Sequence, residues 1–113
     1  MDLEFYWDDT GDPRARAGEK ANGAGAARLA AFLESDVQGS DVFAREILEG
    51  IERVASGDLD GWESTGNAHT LTVNRSGALL EAELEDDAEP CRLSLKELRD
   101  ALAGWLELLE GRG

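Results

Sequence analysis

Apolar and polar positions alternate over residues 2–7, with Leu3, Phe5 and Trp7 on one side and Glu4 and Tyr6 on the other. A period of two marks a half-buried strand. The turn formers DDTGDP follow, and residues 14–17 return as a second strand, giving a first hairpin. Past a Gly- and Ala-rich connection the period changes. Ala26, Leu29, Phe32, Leu33 and Val37 make one stripe of a helix that stops near Gln38-Gly39. Ser40 or Asp41 caps a second helix, in which Phe43, Ile47, Ile51 and Val54 recur every three or four residues up to Gly57. Gly50 in its middle costs up to about 1 kcal/mol relative to alanine, a cost that close packing at that point would explain.

The two-residue period then returns. Residues 62–64 are a short strand, and residues 68–73 a better one, with Leu71 and Val73 opposite Thr70 and Thr72. NRSG makes a tight connection, after which Leu80, Ala82 and Leu84 face inward while Glu81, Glu83 and Glu85 face outward. Pro90-Cys91-Arg92-Leu93 adds an edge piece. Ser94-Leu95-Lys96-Glu97 has the form of a capping box, and Leu98, Leu102, Trp105 and Leu109 continue as a buried stripe until Gly111. The order ββ, αα, βββ, α predicts an α+β fold, a small antiparallel sheet with about three helices packed on one face. The other face is expected to be at least partly wet. Residues 1–113 are read as one domain with one core.

Charge sharpens this picture. The formal net charge is −14, which disfavours direct contact with nucleic-acid phosphates or with an anionic membrane surface. A basic protein is the complementary partner, because opposite fields speed encounter and suppress wrong partners. Simple solubility explains the same acidity equally well. A single cysteine, Cys91, forms no internal disulfide, the N-terminal residues lack the form of a secretory signal, and no apolar run approaches the ~20 residues of a membrane span. These features point to a cytoplasmic protein.

The chemistry-bearing residues assemble into little. DDTGD and Asp58-Leu59-Asp60-Gly61 both lack the ligand alternation and distal Glu of a calcium loop, and one His with one Cys makes no zinc framework. No metal or cofactor is expected. His69 shares a strand face with Leu71, which favours a hydrogen-bonded, partly buried imidazole over a general base. Cys91 follows Asp86, Asp87 and Glu89, which disfavour a thiolate. GAGAAR lacks the spacing and the Lys-Ser/Thr of a phosphate loop. Trp62 and Trp105 are assigned to the core, whereas Tyr6 is the aromatic expected at the surface. No enzyme is indicated.

What remains is the run ALLEAELEDDAEP. Successive carboxylates on one strand face stand about 7 Å apart, an interval close to that of phosphates along a nucleic-acid strand. Glu81, Glu83, Glu85, Asp86 and Asp87 are therefore candidate contacts for the basic cleft of a nuclease-like toxin, with Tyr6 and Glu4 as additional contacts. A solvated face whose like charges deter edge-to-edge aggregation is the competing explanation. Both stay open, as does a homodimer through the wet sheet face.

Three blocks together, Met1-Asp2-Leu3-Glu4-Phe5 with Thr10-Gly11, Trp62-Glu63-Ser64-Thr65-Gly66-Asn67-Ala68-His69-Thr70-Leu71, and the acidic run leading into residues 93–109, resemble the YacL-like family of small acidic uncharacterised bacterial proteins. The resemblance implies a small soluble bacterial α+β protein and carries over no active site. The leading expectation is an immunity- or antitoxin-like toxin inhibitor. The alternative is a YacL-like housekeeping or regulatory protein with no toxin partner.

Overall fold

The structure, a computed structural model, describes residues 3–18, 24–83 and 90–111. β1 (Leu3–Trp7) and β2 (Pro13–Ala17) pair antiparallel in a two-stranded sheet, with Phe5 opposite Ala15 and Tyr6 opposite Arg14. The turn is closed by Asp8. Its Oδ1 accepts from the amides of Thr10 and Asp12, both at 2.9 Å, and from the Thr10 hydroxyl at 2.7 Å, while Oδ2 accepts from Arg14 Nε at 2.7 Å. These donors, the Asp12 amide foremost, hold the Asp8 carboxyl well below the usual aspartate range.

α1 (Ala24–Phe32) runs directly into a π-helical turn at Leu33–Val37, in which the Gln38 amide donates to the Leu33 carbonyl at 2.7 Å. The stripe expected for a single helix is buried, including Ala26, Leu29, Phe32, Leu33 and Val37. Its last turn is wider than an α-helix. Gln38 leaves the turn at φ 53 and ψ −137, a positive-φ conformation that costs a non-glycine residue. Three hydrogen bonds hold it there: the amide bond to Leu33, its side-chain Nε2 donating to the Ser35 carbonyl at 2.7 Å, and its own carbonyl accepting from the indole of Trp105 at 2.8 Å.

α2 (Asp41–Ser56) is capped by Ser40 rather than Asp41. The Ser40 hydroxyl accepts from the Phe43 amide at 3.2 Å, and Gly57 ends the helix at φ 89. Ala44, Ile47, Gly50, Ile51 and Val54 form its buried side. α3 (Leu95–Gly111) opens on the capping box, with Glu97 N donating to Ser94 Oγ at 3.0 Å and Ser94 N donating to Glu97 Oε1 at 2.9 Å.

The remaining strands, β3 (Gly61–Thr65), β4 (His69–Asn74), β5 (Gly77–Ala82) and β6 (Cys91–Leu93), form an antiparallel meander in that order. The fold is thus α+β as expected, but its strands divide between two sheets. The hairpin β1–β2 packs on α1, the π turn and α3 instead of extending the meander. Register places Val73 opposite Ala78 and Trp62, and Leu80 opposite Leu71 and Cys91, so these side chains share one face with Leu93. α2 packs on β3 and β4, and α3 packs on β5 and β6. The buried side chains of this face merge with Leu29, Phe32, Ile47, Ile51, Leu98, Leu102 and Trp105 in one core. The opposite face carries Glu63, Thr65, Thr72, Leu79, Glu81 and Arg92, all wholly or partly exposed.

Candidate functional site

The acidic residues singled out from the sequence fall into two groups. β5 ends at Ala82, so of the expected carboxylate ladder only Glu81 stands on a described strand, exposed and opposite Thr70. Glu83 follows the strand end and is exposed. Its amide donates to the Ala68 carbonyl at 2.7 Å, and its carboxylate accepts a short hydrogen bond from the Thr70 hydroxyl. The Thr70 hydroxyl in turn lies 3.0 Å from that of Thr65. Glu83 is therefore a bound acid and not a bare one, because the Thr70 hydroxyl of β4 donates to its carboxylate just past the end of β5. Glu85, Asp86 and Asp87 lie outside the described residues, as does Leu84.

Tyr6 and Glu4 lie on the other sheet, side by side on the outer face of the hairpin. Arg16 ties them together, donating through Nε to Glu4 at 2.7 Å while its guanidinium carbon stands 5.2 Å from the Tyr6 ring centre. Tyr6 is 39% exposed, as the alternation predicts. Trp105 is fully buried as expected, and its ring meets Phe5 edge to face at 5.9 Å. Trp62, in contrast, is only partly buried and rests against the core from outside.

A second cluster was only half visible in the sequence. His69 is 3% exposed, which fits the hydrogen-bonded imidazole expected there, and its partner is Asp36 of the π turn. Asp36 Oδ1 lies 3.1 Å from His69 Nδ1, and Oδ2 accepts from the His69 amide at 3.0 Å. The Ala68 amide donates to both oxygens at 3.3 Å. Ser35 Oγ, 2.6 Å from Asp36 Oδ1 and 2.7 Å from the Ala31 carbonyl, completes the shell. Donors converge on both oxygens of the carboxyl group, and the oxygen facing the ring assigns the imidazole proton to Nδ1. Gly66 leaves the space for this, since a Cβ there would run into Asp36 Oδ2.

The geometry of this cluster is not that of a nucleophilic relay. In a nucleophilic relay the hydroxyl and the carboxylate engage opposite ring nitrogens. Here Ser35 Oγ, at 3.5 Å, and Asp36 both approach Nδ1, and the buried Nε2 has no hydrogen-bond partner among the described residues. Phe32 covers the ring edge to face at 5.8 Å. π turns are frequent at functional positions, and this one acts as a junction. Glu34 reaches the hairpin, accepting from the Ala15 amide at 2.8 Å and from Arg14 Nη1 at 3.3 Å. Ser35 and Asp36 hold β4 and the turn before it, Asn67 Nδ2 donating to the Ser35 carbonyl at 2.9 Å, and Gln38 takes Trp105 of α3. Sequence periodicity could not show this, because Asp36 reads as a polar interruption of an apolar stripe.

Cys91 is buried, and desolvation pushes its thiol up, with the Glu97 charge adding and Arg28 opposing. Among the described residues no three His, Cys, Asp or Glu side chains gather in a way that could hold a metal ion, and no helix is long and apolar enough to cross a membrane. Comparison with family models, curated proteins and solved structures finds no match to this chain.

Proposed function

We propose that this chain is an acidic protein-binding module, an immunity- or antitoxin-like protein that neutralises a basic, nuclease-like bacterial toxin domain in the cytoplasm by charge-complementary docking. The observation that carries the reading is the open face of the four-stranded sheet. Glu63 and Glu81 are exposed on it without ion-pair partners among the described residues, in a chain of net charge −14. Carboxylates that are already solvated and unpaired lose little on meeting a cation, and their summed field accelerates encounter. Glu81 and Glu83, with Glu85, Asp86 and Asp87 beyond them, supply steering and the main contacts. Tyr6 and Glu4 add an aromatic contact of the kind enriched at interface hot spots. This role calls for no catalytic residue and no cofactor.

The test is a low-salt capture of basic partners from the source organism, followed by binding kinetics of the purified pair. The association rate is expected to fall steeply with NaCl, and Glu81→Lys with Glu83→Lys to slow it further. Affinity unchanged by both substitutions would remove the surface. The YacL-like resemblance supports a second reading, a housekeeping or regulatory protein. From Leu3 onward, its first two blocks lie on β1 with the following turn and on β3–β4, which are architectural positions. A neighbouring gene with a toxin-like C-terminal domain favours the first reading and a solitary locus the second.

A further inference from the structure

Gly50 removes a side chain from the sheet-facing side of α2, and Trp62 of β3 fills the gap. A Cβ at Gly50 would stand 2.8 Å from Trp62 Cδ2 and 3.0 Å from both Cε2 and Cγ, so the helix backbone sits over the face of the indole. The partly exposed ring then borders a cleft of about 210 Å³ lined by Glu46, Glu49, Gly50, Arg53, Leu59 and Trp62. Glu46 and Glu49 stand one helical turn apart, and both are exposed. Neither has an ion pair or a side-chain hydrogen bond among the described residues. Asp58 and Asp60, the chain neighbours of Leu59, are both exposed. Arg53 is the one cation of the lining.

We propose that this cleft receives a cationic side chain, an arginine guanidinium, presented by the basic partner. The inference rests on the protein-binding reading above and deepens it by naming an anchoring position away from β5. A guanidinium is planar and weakly hydrated, stacks on an indole, and offers a fork of donors to carboxylates. The cleft presents an aromatic ring, an apolar wall at Leu59 and two uncommitted carboxylates in that arrangement. Arg53 lies at the C-terminal end of the lining, two turns beyond Glu46, so repulsion directs the incoming cation to the Glu46 side of the ring. Trp62 is the anchor type most enriched at binding hot spots, and its seat is rigid because Gly50 fits it without a gap.

The experiment titrates the folded, isotopically labelled protein with N-acetyl-arginine amide and, as the uncharged isostere, N-acetyl-citrulline amide. The readout is the indole N–H resonance of Trp62. Saturable movement with arginine and none with citrulline is expected, weakened about fivefold in the E46Q/E49Q double variant, as loss of two exposed charge pairs implies. Both glutamates are exposed, so the variant keeps the fold. A Trp62 signal that stays still, moves equally with citrulline or ignores E46Q/E49Q overturns the cleft. A deca-arginine peptide, measured against NaCl concentration, separates this from failure of the wider reading. Salt-sensitive binding that leaves Trp62 unmoved removes the cleft and keeps acidic docking elsewhere. No salt-sensitive binding to any part of the protein removes both.

Discussion

Asp36 holds His69 at both ends, its Oδ1 3.1 Å from the imidazole Nδ1 and its Oδ2 accepting the backbone amide at 3.0 Å. The Asp36 side chain is fully buried and that of His69 is 3% exposed. Removing one member of such a buried pair leaves the other without compensation, at a cost of about 3–5 kcal/mol. Asp36→Ala is expected to destabilise by at least about 3 kcal/mol. The double variant with His69→Ala should cost clearly less than the sum of the single ones. Urea unfolding of the four proteins decides this, and additive losses would show that the two residues are not coupled.

Gly50 and Trp62 make a prediction with a change of sign. Ala in place of Gly within a helix ordinarily gains up to about 1 kcal/mol. Here the new methyl meets the indole at 2.8 Å, and overpacking of this kind costs about 1–3 kcal/mol. Gly50→Ala should therefore lower the unfolding midpoint in the natural background and raise it when Trp62 is first replaced by Leu. A gain in both backgrounds would mean that the ring yields freely.

The Asp8 turn supplies a pH dependence. Its folded carboxyl is held below the ordinary aspartate range by the Asp12 and Thr10 donors and by Arg14. Such a group contributes stability above its unfolded pKa, and the contribution is lost as pH falls toward the folded one. Asp8→Asn is expected to be less stable than the natural protein at pH 7, with the gap narrowing progressively below about pH 4. Thermal unfolding of both proteins between pH 7 and pH 2.5 measures it. A gap that is constant with pH would place the effect in turn geometry alone.

Ser94→Ala should cost about 1 kcal/mol, because the amide of Glu97 loses the hydroxyl it donates to at 3.0 Å. The Glu97 carboxyl is held below its ordinary value chiefly by the backbone amide of residue 94, which alanine keeps. Its side-chain carbon resonance, followed with pH, should therefore still titrate low in the variant, while thermal unfolding reads the lost cap.

Cys91 is buried in the core and its thiol is shifted toward the protonated form by desolvation. Labelling by a thiol-specific reagent at pH 7 should be slow in the folded protein and accelerate with denaturant in step with global unfolding. Fast labelling under native conditions would reveal local opening of β6.

The elements that a reader of the sequence can place are those whose signal is local. The capping box at Ser94 and Glu97, the hairpin around DDTGDP and the alternation through Leu71 and Val73 all depend on neighbours within a few residues. Gly50 announced a cost without its reason, because the reason, Trp62, arrives 12 positions later on another element. Asp36 was silent for a stronger cause. A charged residue on an amphipathic stripe reads as a solvent position, and only a partner on β4, 33 residues on, makes burial tolerable. Of the carboxylate ladder only the start can be compared, since β5 ends at Ala82 and Glu85, Asp86 and Asp87 lie outside the described residues.

The junction built at the π turn bears on the order in which the chain assembles. Its partners come from the first hairpin 19 residues back, from β4 about 33 residues ahead and from Trp105, 67 residues beyond Gln38. Contacts that span such loops form only after the intervening chain has been ordered. The wide turn and the positive φ of Gln38 thus have no local reason to exist early, and a nascent chain that has yet to reach Trp105 lacks one of the bonds that hold them. Folding of α1 as a plain helix, with the turn widening only as α3 docks, follows from that dependence. Substitutions at Asp36 or Gln38 are then expected to quicken unfolding far more than they slow folding.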